Sequence, residues 1–142
     1  MKRNLYHPKA LALGGLILMG IGLYFIFLRP PLLPEDARYM DTTFADIQSA
    51  VPGLFQWLQK VFWVMGGYIF TVGLLTVYIA FSSFQTRTRG AFPAIAIAGL
   101  SSIGWMTIVN FIINSDFKWL LLTSAIPWVA ALILYRIEGE KR

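Results

Sequence analysis

Apolar residues in this chain run together in four long blocks separated by polar segments. That pattern predicts membrane-crossing helices, in contrast to the alternation of a half-buried strand or the stripe of a surface helix. Crossing about 30 Å of hydrocarbon at about 1.5 Å per residue takes about 20 residues. The blocks are Ala10 to Leu28, Val61 to Phe84, Phe92 to Ile113 and Trp119 to Tyr135, the last with Pro127 near its middle, where a slight kink is expected. No Asp, Glu, Lys, Arg or His stands inside any block. The predicted fold is all-α: one polytopic domain over residues 1–142, a four-transmembrane-helix bundle with a short amphipathic helix in its first loop.

That loop, residues 29–60, is the one sizeable segment outside the blocks, and "RPPLLPEDARYMDTTFADIQ" within it holds four of the seven acidic residues. Pro30, Pro31 and Pro34 predict an extended, stiff exit from the first span. "DTTFADIQSAV" then predicts a helix with Asp41 or Thr42 as N-cap and Asp46 in its first turns. Phe44, Ile47 and Val51 recur at spacings of three and four, so one face is expected to rest on the bilayer or on the ends of the spans. Pro52 and Gly53 end that helix, and Trp57 and Lys60 fall where aromatic and basic residues favour the membrane interface. The segment reads as a structural cap, as a partner-docking surface carried by Glu35, Asp36, Arg38, Asp41 and Asp46, or as a lid. The acids Glu35, Asp36 and Asp46 are expected to face water.

Within the spans the informative residues are small, aromatic or weakly polar. Helices in lipid associate by close packing of small side chains, because lipid tails already satisfy apolar ones. Gly15 and Gly22, and Gly66 and Gly73, are each seven apart and share a helix face; Gly90, Ala94, Ala98 and Ser102 repeat every four residues. All eight are candidate packing seams, within one bundle or between subunits. Trp63, Tyr68, Trp105 and Trp128 line either a packed seam or a pocket for an apolar ligand such as a lipid tail or a quinone. Asn110, with Asn114, Ser115 and Asp116 just beyond it, is expected to join a hydrogen-bonded cluster with the loop.

Composition agrees with the bilayer and narrows the chemistry. The 142 residues are 57% hydrophobic and 13% charged, with a mean hydropathy of +0.63, against about 25% charged in a soluble domain. With no cysteine and a single histidine, His7, a disulfide, a thiolate metal site, a bis-histidine haem and a three-histidine zinc site within one chain are excluded by counting. The net charge of +5 is dispersed at the ends of apolar blocks, so nucleic acid is not the expected partner and membrane topology explains it. Placing both termini in the cytoplasm collects Lys2, Arg3, Lys9, Arg87, Arg89, Arg136, Lys141 and Arg142 there, and leaves Arg29, Arg38, Lys60 and Lys118 outside. That eight-to-four bias follows the positive-inside rule. The first block also resembles a secretory signal, but Arg29, Pro30 and Pro31 replace a small-x-small cleavage site, so it is read as a retained span.

In outline, "GIGLYFIFLRP", "VFWVMGGYIFTVGLLTVYIAF" and a basic "TRTRG" turn followed by two further spans resemble small four-helix bacterial inner-membrane proteins of the DoxX-like kind. The resemblance implies the four-helix fold and a bacterial inner-membrane location, and it implies no catalytic residues; the acidic loop is longer than the simplest members suggest.

The expected function is therefore non-catalytic. The leading reading is an accessory or assembly subunit of a larger inner-membrane complex, without cofactor or metal, in contact with membrane lipids and with a membrane-protein partner or a second copy of itself. The alternative is a lipid- or quinone-binding membrane protein or enzyme with an intramembrane aromatic pocket, in which Tyr68 is the candidate polar group. A small homo-oligomeric transporter comes last, because transport generally needs ionisable groups at membrane depth.

Overall fold

Proline begins the architecture. Pro8 stands in the first turn of α1 (His7–Phe27), where a missing N–H leaves no helical hydrogen bond unmade. In the computed structural model, which describes residues 5–140, α1 is followed by α2 (Pro34–Tyr39), α3 (Phe44–Ala50), α4 (Leu54–Ile79), α5 (Ala91–Gly99), α6 (Trp105–Ile112) and α7 (Lys118–Glu140). A wide π turn, Ala80–Phe84, continues α4, and a second, Leu100–Gly104, joins α5 to α6. Four continuous helices result, His7–Phe27, Leu54–Phe84, Ala91–Ile112 and Lys118–Glu140, each long and apolar enough to cross a membrane. The chain is a multi-pass membrane protein built as an all-helical bundle.

Helix α1 is the central element, packed along α4 on one side and along α7 on the other. The contact with α4 is a backbone-to-backbone seam. A methyl group added at Gly22 would lie 2.8 Å from the Gly66 carbonyl, and one at Gly15 would lie 2.8 Å from that of Gly73. Both glycine pairs thus face one another within a single chain, at a spacing no larger side chain tolerates.

The α5–α6 helix packs on α7 through a different stripe from the one the four-residue repeat suggests. Ala91, Ile95, Gly99, Ile103 and Thr107 are the buried positions. Gly90 is instead the turn that starts α5, with φ of 89° and nothing near it; Ala94 faces outward, and Ala98 and Ser102 are half-buried. The physical reason is one side chain. Trp128 of α7 lies across Gly99 and Gly14 and donates its indole N–H to the Ile95 carbonyl at 2.9 Å, and only glycine at position 99 leaves room for the ring. That contact sets the rotation of α5, and the repeat of small residues does not.

The apolar core lies towards the end of the bundle that carries the termini. Leu11, Phe84, Ile95, Trp128 and Ala131 are buried there, and His7 is buried with them. Its ring nitrogens reach Glu138 Oε2 at 2.5 Å and the Phe84 carbonyl at 3.3 Å, and its ring packs edge-on against Phe84 and Tyr135. The first and last helices therefore extend further than the charge-free blocks, to take in His7 and Glu138, and α4 starts at Leu54 rather than Val61. Lys2, Arg3, Lys141 and Arg142, counted in the charge bias, lie outside the described residues.

The long loop also departs from expectation. It carries two short helices, and α3 is capped by Thr43, whose hydroxyl accepts the Asp46 N–H at 3.2 Å. Asp41 occupies a left-handed turn with φ of 52°. The apolar face of α3 is only partly covered by the rest of the chain: Ile47 is half-buried, whereas Phe44 is 40% and Val51 51% exposed. Helix α2 takes the place on the bundle end instead, drawn there by Glu35.

Candidate functional site

Because packing between α4 and the α5–α6 helix is concentrated near Ala80–Phe84 and α5, the opposite, loop-bearing half of the bundle is left open between them. The space is a cleft of about 850 Å³, within the roughly 300–1,000 Å³ of small-molecule sites. Its floor is α1, which presents Ile17, Ile21, Tyr24 and Phe25. Phe62, Met65, Ile69 and Val72 recur at helical spacing along one wall, and Met106, Val109, Asn110 and Ile113 along the other.

Every charged side chain of the lining is at one end: Arg29, Glu35 and Asp36. The Pro-rich exit from α1 explains how they arrive. Leu33 is extended, Pro34 opens α2, and the Asp36 carboxylate accepts the Leu33 N–H at 2.8 Å, closing the first turn. That turn aims Glu35 inward, where it is 5% exposed. Its carboxylate accepts the Ser115 hydroxyl and the Asp116 N–H, both at 2.8 Å, and so ties the loop to the turn between α6 and α7. Ser115 is itself fully buried.

Arg29 lies over Phe62, with its guanidinium carbon 3.5 Å from the ring centroid, and 5.4 Å from that of Phe25. It donates to the Pro30 carbonyl at 3.0 Å and, at a longer 3.4 Å, to Asp36. Burial holds its pKa below the ordinary arginine value, and the neighbouring Asp36 opposes that shift.

At the inner end of the cleft the polar groups are Ser101 and Ser102. Their hydroxyls donate back to the Ile97 and Ala98 carbonyls, the usual resting place of serine in a membrane helix. Asn110 behaves similarly: its amide donates to Met106 one turn back, so its side chain belongs to the cleft wall and not to the loop cluster.

The four aromatic candidates divide. Tyr68 and Trp105 stand at the rim of the cleft, 72% and 61% exposed to the space that lipid occupies. Trp128 is core, and Trp63 faces elsewhere, with Lys60 Nζ 3.6 Å from its ring centroid. The acidic candidates divide as well. Asp41 and Asp46 are exposed in the loop, and Arg38 pairs with Asp116 at 3.0 Å on the surface. Glu35, expected to face water, is buried, because Ser115 and the Asp116 amide supply the donors that its carboxylate would otherwise find in solvent.

Sequence reasoning missed Arg29 and His7. Arg29 carries a signal in hindsight: a cation directly after an apolar block and beside two prolines cannot reach far from the helix end. His7 carries none, because its partner Glu138 is 131 residues away. No family model, curated protein or solved structure matches this chain.

Proposed function

We propose that the protein binds a single lipid molecule, with an acyl chain lying in the cleft and its polar head at Arg29, Glu35 and Asp36. The observation that carries this is the shape and polarity of the cleft: an apolar groove open sideways between two membrane helices, with all its charge at one end. A lipid has the same division, and a sideways opening admits its chain from the bilayer without passage through water. The reading is of a binding protein, in which the hydroxyls of Ser101 and Ser102 rest on backbone carbonyls. In the orientation favoured by the basic residues, with both termini cytoplasmic in a bacterial inner membrane, the head site opens towards the outer leaflet.

Gly20 provides the test. It lines the cleft, and a Cβ added there meets nothing within 4 Å; Gly67 is equally open at that atom but does not line the cleft. Gly20→Leu should therefore fold normally and lose lipid carried through purification in mild detergent, as read by native mass spectrometry. Gly67→Leu should keep it. Equal retention by the two variants, or no retained lipid in the unaltered protein, overturns the proposal.

A further inference from the structure

The charge at the mouth of the cleft does not cancel, and the imbalance specifies the head. We infer that the bound lipid is an aminophospholipid, with a phosphate that meets Arg29 and a primary ammonium that meets Asp36 and Glu35; the inference rests on the lipid-binding reading above.

Arg29 is the one cation of the lining. A guanidinium has five N–H donors in one plane. Phe62 is an apolar ring and takes up none of these donors in a conventional hydrogen bond; one donor is spent on Pro30, and the contact with Asp36, at 3.4 Å, is beyond the usual length of an N–H···O bond. Donors therefore remain for the oxygens of a phosphate, a group whose geometry a guanidinium matches in a bidentate pair.

Arg29 cannot balance both carboxylates. Glu35 is stabilised by a hydroxyl and an amide N–H and forms no ion pair among the described residues; Asp36 shares its only cation with whatever Arg29 binds. A lipid bearing phosphate alone would bring a third negative charge beside Asp36. A head with phosphate and ammonium brings its own cation and leaves that balance unchanged. The ammonium is primary on chemical grounds. A quaternary ammonium has no hydrogen to donate to a carboxylate and is ordinarily held in an aromatic cage; of the four rings of the lining near this end, Tyr24, Phe25, Phe62 and Phe117, two already hold Arg29. Glycerol or sugar heads donate hydrogen bonds but supply no charge.

The experiment uses the full chain reconstituted in vesicles containing equal parts of phosphatidylethanolamine, phosphatidylglycerol and phosphatidylcholine with identical acyl chains, then extracted in mild detergent, with retained lipids measured by mass spectrometry. Phosphatidylethanolamine is expected to be enriched about tenfold over the other two, the effect of one added charge-assisted contact. Asp36→Asn keeps a side-chain oxygen for the Leu33 N–H, so α2 stays capped; it should lose most of the preference for phosphatidylethanolamine. Arg29→Lys, which preserves the charge but not the planar fork, should reduce retention of all three lipids. Lipid retained without headgroup preference, enrichment of phosphatidylglycerol, or a preference unchanged in Asp36→Asn overturns the inference and leaves the lipid-binding reading in place. Retention of no lipid at all overturns both.

Discussion

The Glu35 carboxylate accepts a 2.8 Å hydrogen bond from the Ser115 hydroxyl across 80 residues of sequence, and both groups are buried. This bond, with the one from the Asp116 N–H, fastens the long loop to the far side of the bundle and holds Glu35 at the charged end of the cleft. Glu35→Ala should lower stability by about 1–3 kcal/mol, because the buried Ser115 hydroxyl and the Asp116 N–H would lose their acceptor. Asp41→Asn, at an exposed turn whose positive φ asparagine tolerates, should change stability by less than about 0.5 kcal/mol. Thermal unfolding in detergent distinguishes them, and similar behaviour of the two would mean that the loop is not anchored through Glu35.

The glycine seam makes a sharper contrast. Gly66→Ala places a methyl group 2.7 Å from the Gly22 carbonyl, so α1 and α4 must separate, at a cost of about 1–3 kcal/mol. Gly67→Ala, one residue further along the same helix, meets open space and should be neutral or slightly stabilising. Melting temperatures in one detergent provide the comparison, and an equal loss for both would place the helix contact elsewhere.

Gly99→Ala should destabilise by about 1–3 kcal/mol, since the new methyl group would overlap the indole of Trp128. Trp128→Phe should cost at least the roughly 0.5–1.5 kcal/mol of the hydrogen bond to Ile95. Combining the two should cost less than the sum of the separate losses, because the smaller ring makes room for the methyl group. An additive double mutant would show that the two residues do not share the contact.

For topology, Gln48 and Gln85 are exposed at opposite ends of the bundle, and the native chain has no cysteine to interfere. In intact cells, Gln48→Cys should react with a membrane-impermeant maleimide, whereas Gln85→Cys should react only after permeabilisation. The reverse pattern would invert the orientation and assign the lipid head site to the inner leaflet.

Four apolar blocks, each too long for a soluble core and free of charge, were enough to determine the number of membrane helices, the class of fold and the location of the one long loop. The physical reason is that the bilayer imposes length and polarity on each segment separately, so the information is local. The Gly15, Gly22, Gly66 and Gly73 spacings were legible for the same reason, since a seam needs small residues on one face of one helix. The rest depended on how segments meet. Gly90, Ala94, Ala98 and Ser102 form as regular a repeat as any in the chain, yet α5 is turned by Trp128, a residue of another helix. Glu35 looked like a solvated acid until Ser115 and Asp116 supplied its hydrogen bonds, and His7 looked unremarkable until Glu138 met it. The cleft is the extreme case. It exists because α4 and α6 do not close on each other, and an unfilled space between helices is written in no single one of them.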